Sequence, residues 1–430
     1  MKKMSKIKLI AVSLSVALLA SCAGPAATPA APAAPPAPPA AVPVPPAPPA
    51  PAPPAEGNDA VEVVDGRPSP TPEFLTEWAR ANIDNYLSYE EILERAMQEG
   101  GNLKIYTHST RTIRTAEAFM ERYPFTNVEV HQTNTTAMLE QFVREQGSGL
   151  HIADVMQVGD TDGTVWVEFV QQGLLHIYWP YDIVPYLDPA MSSASLALET
   201  QFLMWYYNTV YFPDGPPISS WWELTLPEWE GRLLAQHPMT HIGNLAVYTA
   251  IVQNHELMAE EYERVFGRPI ELSEGAENAG FEFLRRFFAN DIIFLTSNTE
   301  IQITVGETDD RPLLGFAASS GIRRIDEGLN FNYIHPITPA HAVINPSALY
   351  IAEGANNPYT AKLYIRFMTD YHGEGAEIIN DAGTWMAREG LSLGDHTPPW
   401  EEMVPFDTDF VFIYTNTHRV GDYIRFLTGV

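Results

Sequence analysis

The stretch "NLKIYTHSTRTIRTAEAFMERYPFTNVEVHQTNTTAMLEQFVREQGSGLHIADVMQV", residues 102–158, changes its period again and again. "NLKIYT" (102–107) reads as a strand. "STRTIRTAEAFMERY" follows as a helix, with Ile113, Ala116, Phe119 and Met120 on one face. "NVEVHQ" is a strand and "TTAMLEQFVREQG" a helix. "IADVMQV" is a third strand, and "GTVWVEFVQQGLL" behind it a third helix. Strands alternating with helical patterns of roughly 10–15 residues specify βαβ units on a parallel sheet. In such a sheet ligands gather beyond the carboxyl ends of the strands, in the strand-to-helix loops. Here those loops are Thr107–Arg111, Gln132–Thr135 and Gly159–Asp162.

Upstream, residues 70–99 read as helical, with Leu75, Trp78 and Ala81 in step. Ser88 with Glu91 forms a capping-box pattern, and Gly100-Gly101 ends the helix. Downstream, a second block opens with "QFLMWYYNTVYF" (201–212) as a strand. Short helices and a strand at Leu233–Ala235 follow, then a helix in "GNLAVYTAIVQN". "GAENAGFEFLRRFFAN" is an amphipathic helix with Phe281, Leu284, Phe287 and Phe288 inward. "RPLLGFAASS" is a buried strand and its loop. "HAVINPSALYIAEGANNPYTAKLYIRFMTD" returns two strands and a helix.

The chain's only cysteine, Cys22, closes a short N-terminal run in which four lysines precede an apolar stretch from Leu9 to Ala20. That stretch falls short of the roughly 20 residues a membrane-spanning helix needs, and reads as a secretory signal over residues 1–21. Leu19-Ala20-Ser21-Cys22 resembles the lipobox of bacterial lipoproteins, which implies lipidation at Cys22 and a membrane anchor. Residues 23–55 are almost all Ala and Pro, and such a segment buries no core. It favours an extended linker reaching on the order of 100 Å. With no second cysteine, disulfides and Cys-based metal sites are ruled out.

The formal charge is −29 over 430 residues, and loss of residues 1–21 would make it nearer −33. That excludes nucleic acid as a natural partner. About 370 residues remain after the linker, 45% of the whole chain being apolar, so two cores are expected.

Four phrases in order resemble the periplasmic solute-binding proteins of ABC importers. "LKIYTHST…AEAFMERYPFTNVEV" is similar to their opening. "IADVMQVGDTDGTVWVEFVQQGLL" is similar to their third strand, loop and helix. "WYYNTVYFPDGPPISSWWELTLPEWEGRLLAQHP" and "ALYIAEGANNPYTAKLYIRFMTDYHGEGAEII" resemble later segments, the whole covering about 101–385. The resemblance implies an α/β, two-lobed, type 2 periplasmic-binding fold. Its cleft lies between two Rossmann-like lobes, preceded by the disordered Ala/Pro linker. The organisation expected is a signal at 1–21, lipidated Cys22 and linker at 22–56, and a helical extension at 57–100. First-lobe residues 101–200 follow, then second-lobe residues 201–337, and a return to the first lobe with C-terminal helices over 338–430. The implied protein captures a small solute, closes on it and docks on an ABC permease. It is not an enzyme, needs no cofactor and works as a monomer at the envelope surface, lipid-anchored.

The branch of that family which the phrases resemble includes ferric-ion binders. Their iron site uses first-loop side chains, an acidic residue and two adjacent second-lobe tyrosines. Here Ser319 and Ser320 stand about where the tyrosine pair would be, and Tyr206-Tyr207 falls in a strand. The family's histidine position falls nearer Thr110 than His108. What remains is hydroxyls, amides and a few charges: His108, Ser109, Thr110 and Arg111; Thr133 and Asn134; Thr161; Thr240 and His241; Ser319, Ser320 and Arg323. Helix N-termini present N–H groups and partial positive charge to carboxylate or phosphate. An oxygen-rich organic anion, an organic phosphate or carboxylate, is therefore the expected solute. Capping of each helix by its own Ser or Thr is the competing reading. Asp160 with Asp162 points instead to a cationic ligand such as a polyamine, and ferric iron is a further alternative. His108, His131, His151 and His241 match no zinc spacing, and no metal site is expected. The rival classes are a periplasmic enzyme and a signalling or structural lipoprotein. For the enzyme, nucleophile-elbow, GxxxxGK[ST] and HExxH motifs are all missing.

Overall fold

In the computed structural model, residues 75–188, 191, 195–239, 242–369 and 374–429 are described. The N-terminal run, Cys22 and the Ala/Pro stretch lie outside the described residues, as do Thr240 and His241.

Two helices come first, α1 (Glu77–Asn82) and α2 (Tyr89–Glu99). The capping box forms in both directions: Ser88 accepts from the Glu91 N–H, and the Glu91 carboxylate accepts from the Ser88 N–H. Gly100 ends α2 with a left-handed φ of 88°. Next come β1 (Asn102–Thr107), α3 (Thr112–Arg122), β2 (Asn127–Gln132), α4 (Thr135–Gly147) and β3 (Val155–Gly159). The three strands pair in parallel with β1 central.

The face of α3 differs from the apolar count. Ile113 is 47% exposed, while Thr112, Thr115, Ala116 and Phe119 turn inward. Both threonine hydroxyls are bonded inside. Thr112 Oγ1 donates to Gln157 Oε1 at 2.6 Å, and Thr115 Oγ1 lies 2.8 Å from the Tyr364 hydroxyl. A threonine with a buried partner can hold a core position that hydropathy assigns to isoleucine. The helix expected over 163–175 is a short one, ending in a wide turn at Trp166–Val170, followed by β4 (Leu175–His176).

β5 (Ala197–Asn208) is the long strand of the molecule and is buried along nearly its whole length. Beyond it lie β6 (Leu233–Gln236), α5 (Ile242–Gln253), α6 (His255–Phe266), α7 (Ala279–Phe288), β7 (Ile293–Leu295), α8 (Asn298–Glu307), β8 (Leu314–Ala318) and β9 (Phe331–Tyr333). The chain closes with β10 (Ile344–Ala352), α9 (Pro358–Thr369), α10 (Glu374–Ile379), β11 (Trp385–Met386) and α11 (Phe410–Thr428). Where two strands were expected near residues 341–352, one is found. The strand order is β2-β1-β3-β10-β5-β8-β6-β7. Residues 197–202 of β5 pair antiparallel with β10, and residues 203–207 with β8. One strand thus serves two sheets.

Each sheet has its own core. The first gathers Ile105, Phe119, Phe142, Val155 and Tyr364, together with Ile92 and Ala96 of α2. The second gathers Trp205, Trp221, Trp222, Phe283, Phe287 and Phe316. Trp221 lies 5.5 Å from Phe316 at 78°, an edge-to-face contact. Each such buried aromatic contributes about 2–3 kcal/mol by leaving water. Phe281, Leu284, Phe287 and Phe288 all face this core. Ile413, Val420 and Ile424 of α11 belong to it too, so the chain runs first lobe, second lobe, first lobe, second lobe. Among the described residues, β5 and residues 334–343 and 387–409 make the crossings, and Ile334, Ala342, Met403 and Phe406 of the last two already pack in the second core.

Candidate functional site

β1 ends in a loop whose hydrogen bonds are mostly internal. The Thr107 hydroxyl accepts from the Ser109 N–H at 3.0 Å, and the Ser109 hydroxyl accepts from the Arg111 N–H at 3.3 Å. No side chain caps the start of α3. His108 Nδ1 lies 3.2 Å from the Gln157 carbonyl. Burial, aided by Arg111, lowers the His108 pKa and favours the neutral ring. One unit later Asn134 does act as a cap, accepting from the Ala137 N–H at 3.0 Å. Thr133 and Asn134 sit at the outer strand, β2.

Arg111 reaches out of its loop to two other segments. Its Nη2 donates to Glu199 Oε1 on β5 at 2.7 Å, and its Nη1 donates to the Ile379 carbonyl. Glu199 is 2% exposed. Burial pushes its carboxyl up to about 7, Arg111 opposing and Asp381 adding to the rise. Its second oxygen, with the hydroxyls of Thr200 and Thr384, has no hydrogen-bond partner among the described residues. Buried polar atoms of this kind call for a partner, whether water or ligand.

The loop after β3 is tied down by its own acids. Asp160 accepts from the N–H groups of Val165 at 3.2 Å and Trp166 at 2.8 Å. Burial, then Asp162, pushes its carboxyl up to about 7. Asp162 accepts from the Thr164 hydroxyl at 2.7 Å. Thr161 donates to Asn345 Oδ1 at 2.6 Å, joining this loop to β10.

From the second lobe, Ser319 comes to the same place. Its hydroxyl accepts from the Phe202 N–H at 3.1 Å and donates to the Gly383 carbonyl. Gly383 has φ +76, and a Cβ there would overlap the Ser319 carbonyl, so this approach requires glycine. Ser320 is half-buried, and Arg323 donates to its carbonyl at 2.7 Å while staying 43% exposed. Tyr206 lies in β5 and donates to the Ala318 carbonyl at 2.9 Å. Burial raises the pKa of Tyr206 and of Tyr207, which opposes phenolate formation at both.

The structure therefore gathers Arg111, Glu199, Thr200, Ser319 and the 379–384 segment where the sheets meet. Asp160 and Thr161 border Asn345 nearby. Thr133 and Asn134 stay toward the sheet edge. Glu199, Asn345 and Gly383 were missed by sequence reasoning. A charged residue inside the apolar run "ALETQFLMWYYN" was the available signal for Glu199. A cavity of about 330 Å³ opens beside β11, with Asn380, Trp385, Arg388 and Trp400 in its wall. Among the described residues no cluster of His, Cys, Asp or Glu is disposed to hold a metal ion. None of their helices is long and apolar enough to cross a membrane.

No family model matches the sequence, and no curated protein does. Solved structures do resemble the fold. Iron-bound HitA from Pseudomonas aeruginosa aligns with TM-score 0.59 and 16% identity, over 76% of this chain and 99% of its own. The Trichodesmium IdiA (FutA) protein, in complex with iron and citrate, aligns with TM-score 0.58 and 14% identity over 76% and 99%. The substrate-binding protein of an ABC transporter from Agrobacterium tumefaciens gives 0.55 and 14% over 76% and 96%. The chain has the two-lobed fold of type 2 periplasmic solute-binding proteins.

Proposed function

We propose that this chain is the solute-binding lipoprotein of an ABC importer, held at the envelope surface by lipid on Cys22. It takes an oxygen-rich organic anion between its lobes and hands it unchanged to a permease. One observation carries the choice of solute: the loop after β8 offers Ser319 and Ser320, and the adjacent tyrosines lie in β5 with burial opposing their ionisation. Hard ferric iron favours anionic oxygen donors such as phenolate. The loops at the junction offer hydroxyls at Ser109, Thr110 and Ser320, the α3 N-terminus and the Arg323 guanidinium, with Arg111 adding positive charge from its place on Glu199 and the Ile379 carbonyl. Thr240 and His241 belong to the proposal by their place before α5. The acids of the β3 loop accept from their own backbone and side chains, which speaks against a polyamine.

Native mass spectrometry of the purified protein should find a retained organic phosphate or carboxylate. In a thermal-shift series, such a solute at 100 times its dissociation constant stabilises by about 2.7 kcal/mol. A visible phenolate-to-iron absorption band on adding ferric citrate would overturn the choice of solute. Turnover of the solute would overturn the transport role.

A further inference from the structure

Two histidines stand where two crossings run side by side against the second core. In the 334–343 crossing, the His341 N–H donates to the Val404 carbonyl at 2.7 Å. The Phe406 N–H donates to the Ala342 carbonyl at 2.8 Å, so the tail runs alongside. The Val404 N–H points at His341 Nδ1, 3.0 Å away. A ring nitrogen that accepts an N–H carries no proton, so neutral His341 holds its proton on Nε2. That nitrogen lies 2.8 Å from His335 Nδ1, which must then be the acceptor. The His335 proton is therefore on Nε2, 3.0 Å from Glu402 Oε2. Donation runs one way: Val404 to His341, His341 to His335, His335 to Glu402.

We infer that His335, His341 and Glu402 form a proton-operated clasp tying the second crossing to the tail. The inference does not depend on which solute is bound. One added proton is accommodated if donation between the rings reverses. His335 then donates from both nitrogens, to Glu402 and to His341. His341 moves its own proton to Nδ1, 3.3 Å from the Val404 carbonyl. Only the Val404 N–H loses its acceptor. A second proton sets two N–H groups and two positive rings against each other, and the clasp parts. Burial, then His335, pushes His341 down to about 4, consistent with a resisted second proton. The remaining polar surroundings are sparse. The Tyr333 ring is 6.1 Å from His335, and its hydroxyl donates to the His396 carbonyl, with His396 bonded to Asp326. Phe202 is 6.4 Å from His341. Glu261 and Arg264 meet the crossing at Thr338. Opening the clasp loosens residues 334–343 against the tail where both pack on the second core, leaving the His341–Val404 and Phe406–Ala342 backbone bonds to hold them.

The test is ¹⁵N-histidine NMR of the full chain from about pH 8 downward, with H335Q and H341Q to assign the rings. If neither variant folds, nitrogen–nitrogen coupling across the 2.8 Å bond identifies the pair in the wild type. Both rings should show bare Nδ1 at the start. On acidification His341 should exchange Nε2–H for Nδ1–H, and stay singly protonated down to about pH 4. Below that, amide exchange in 334–343 and 400–406, corrected for intrinsic rate, should rise about tenfold more than in β1 and β3. An Nδ1–H on either ring at the outset, or independent titration of His341 at an ordinary midpoint, overturns the clasp.

Discussion

Glu199 is a carboxylate in the interior of a buried strand, and its one strong partner is Arg111. Removing that partner leaves an uncompensated buried acid. Arg111→Ala should therefore destabilise by about 3 kcal/mol at alkaline pH, read from urea midpoints. The pH dependence has a definite sign. The folded carboxyl holds its proton to about 7, above its ordinary value of 4.5. The stability it contributes is full below the ordinary value and is lost as pH rises through about 7. Glu199→Gln keeps an acceptor for Arg111 and should flatten urea midpoints across that window. Glu282 has the opposite sign. It is fully buried, and although burial raises its pKa, bonds from Arg285, Ser273 and Arg286 outweigh that and bring it to about 2. Its contribution is present above 4.5 and disappears as pH falls toward 2. Glu282→Gln should remove that acid-side slope.

At the scale of elements, two glycines let segments of the two lobes touch. Gly383 faces the Ser319 backbone, and Gly163, with φ +79, faces the Phe410 carbonyl at the start of α11. Gly383→Ala must displace Ser319 and should cost more than 2 kcal/mol, by about the scale of a strained, overpacked site. Gly390 has φ +83 with open space around it, so Gly390→Ala carries only the conformational penalty of about 1 kcal/mol. Denaturant titration of both variants separates contact from backbone strain. The elements themselves were largely legible, because the period changes of residues 102–158 map onto β1 through β3. Two features escaped for physical reasons. The inward face of α3 is built on bonded threonines, which hydropathy scores as surface. The division of β5 between two sheets leaves no mark, since a strand buried on both faces reads as one apolar run. That the loops of Arg111 and Asp160 lie at the carboxyl ends of β1 and β3 followed from strand topology. Glu199, Asn345 and Gly383 could not, being brought there from distant parts of the chain.

Over the whole molecule, a charge of −29 disfavours the compact state through self-repulsion. Added salt from about 10 to about 150 mM should raise the melting temperature by a few degrees, because the Debye length falls to about 8 Å. An equal shift at constant ionic strength would point instead to specific ion binding. β5 sets how the two halves can turn. Its backbone is continuous from Ala197 to Asn208 while its ladder partners change after residue 202. Rotation of one half against the other must pass through it as twist, so it works as a torsion bar and not as a loose joint. One residue inserted between Phe202 and Leu203 would spare either ladder alone. It would also turn Trp205 and its neighbours to the opposite side with respect to the first sheet, unscrewing the two halves by half a strand repeat.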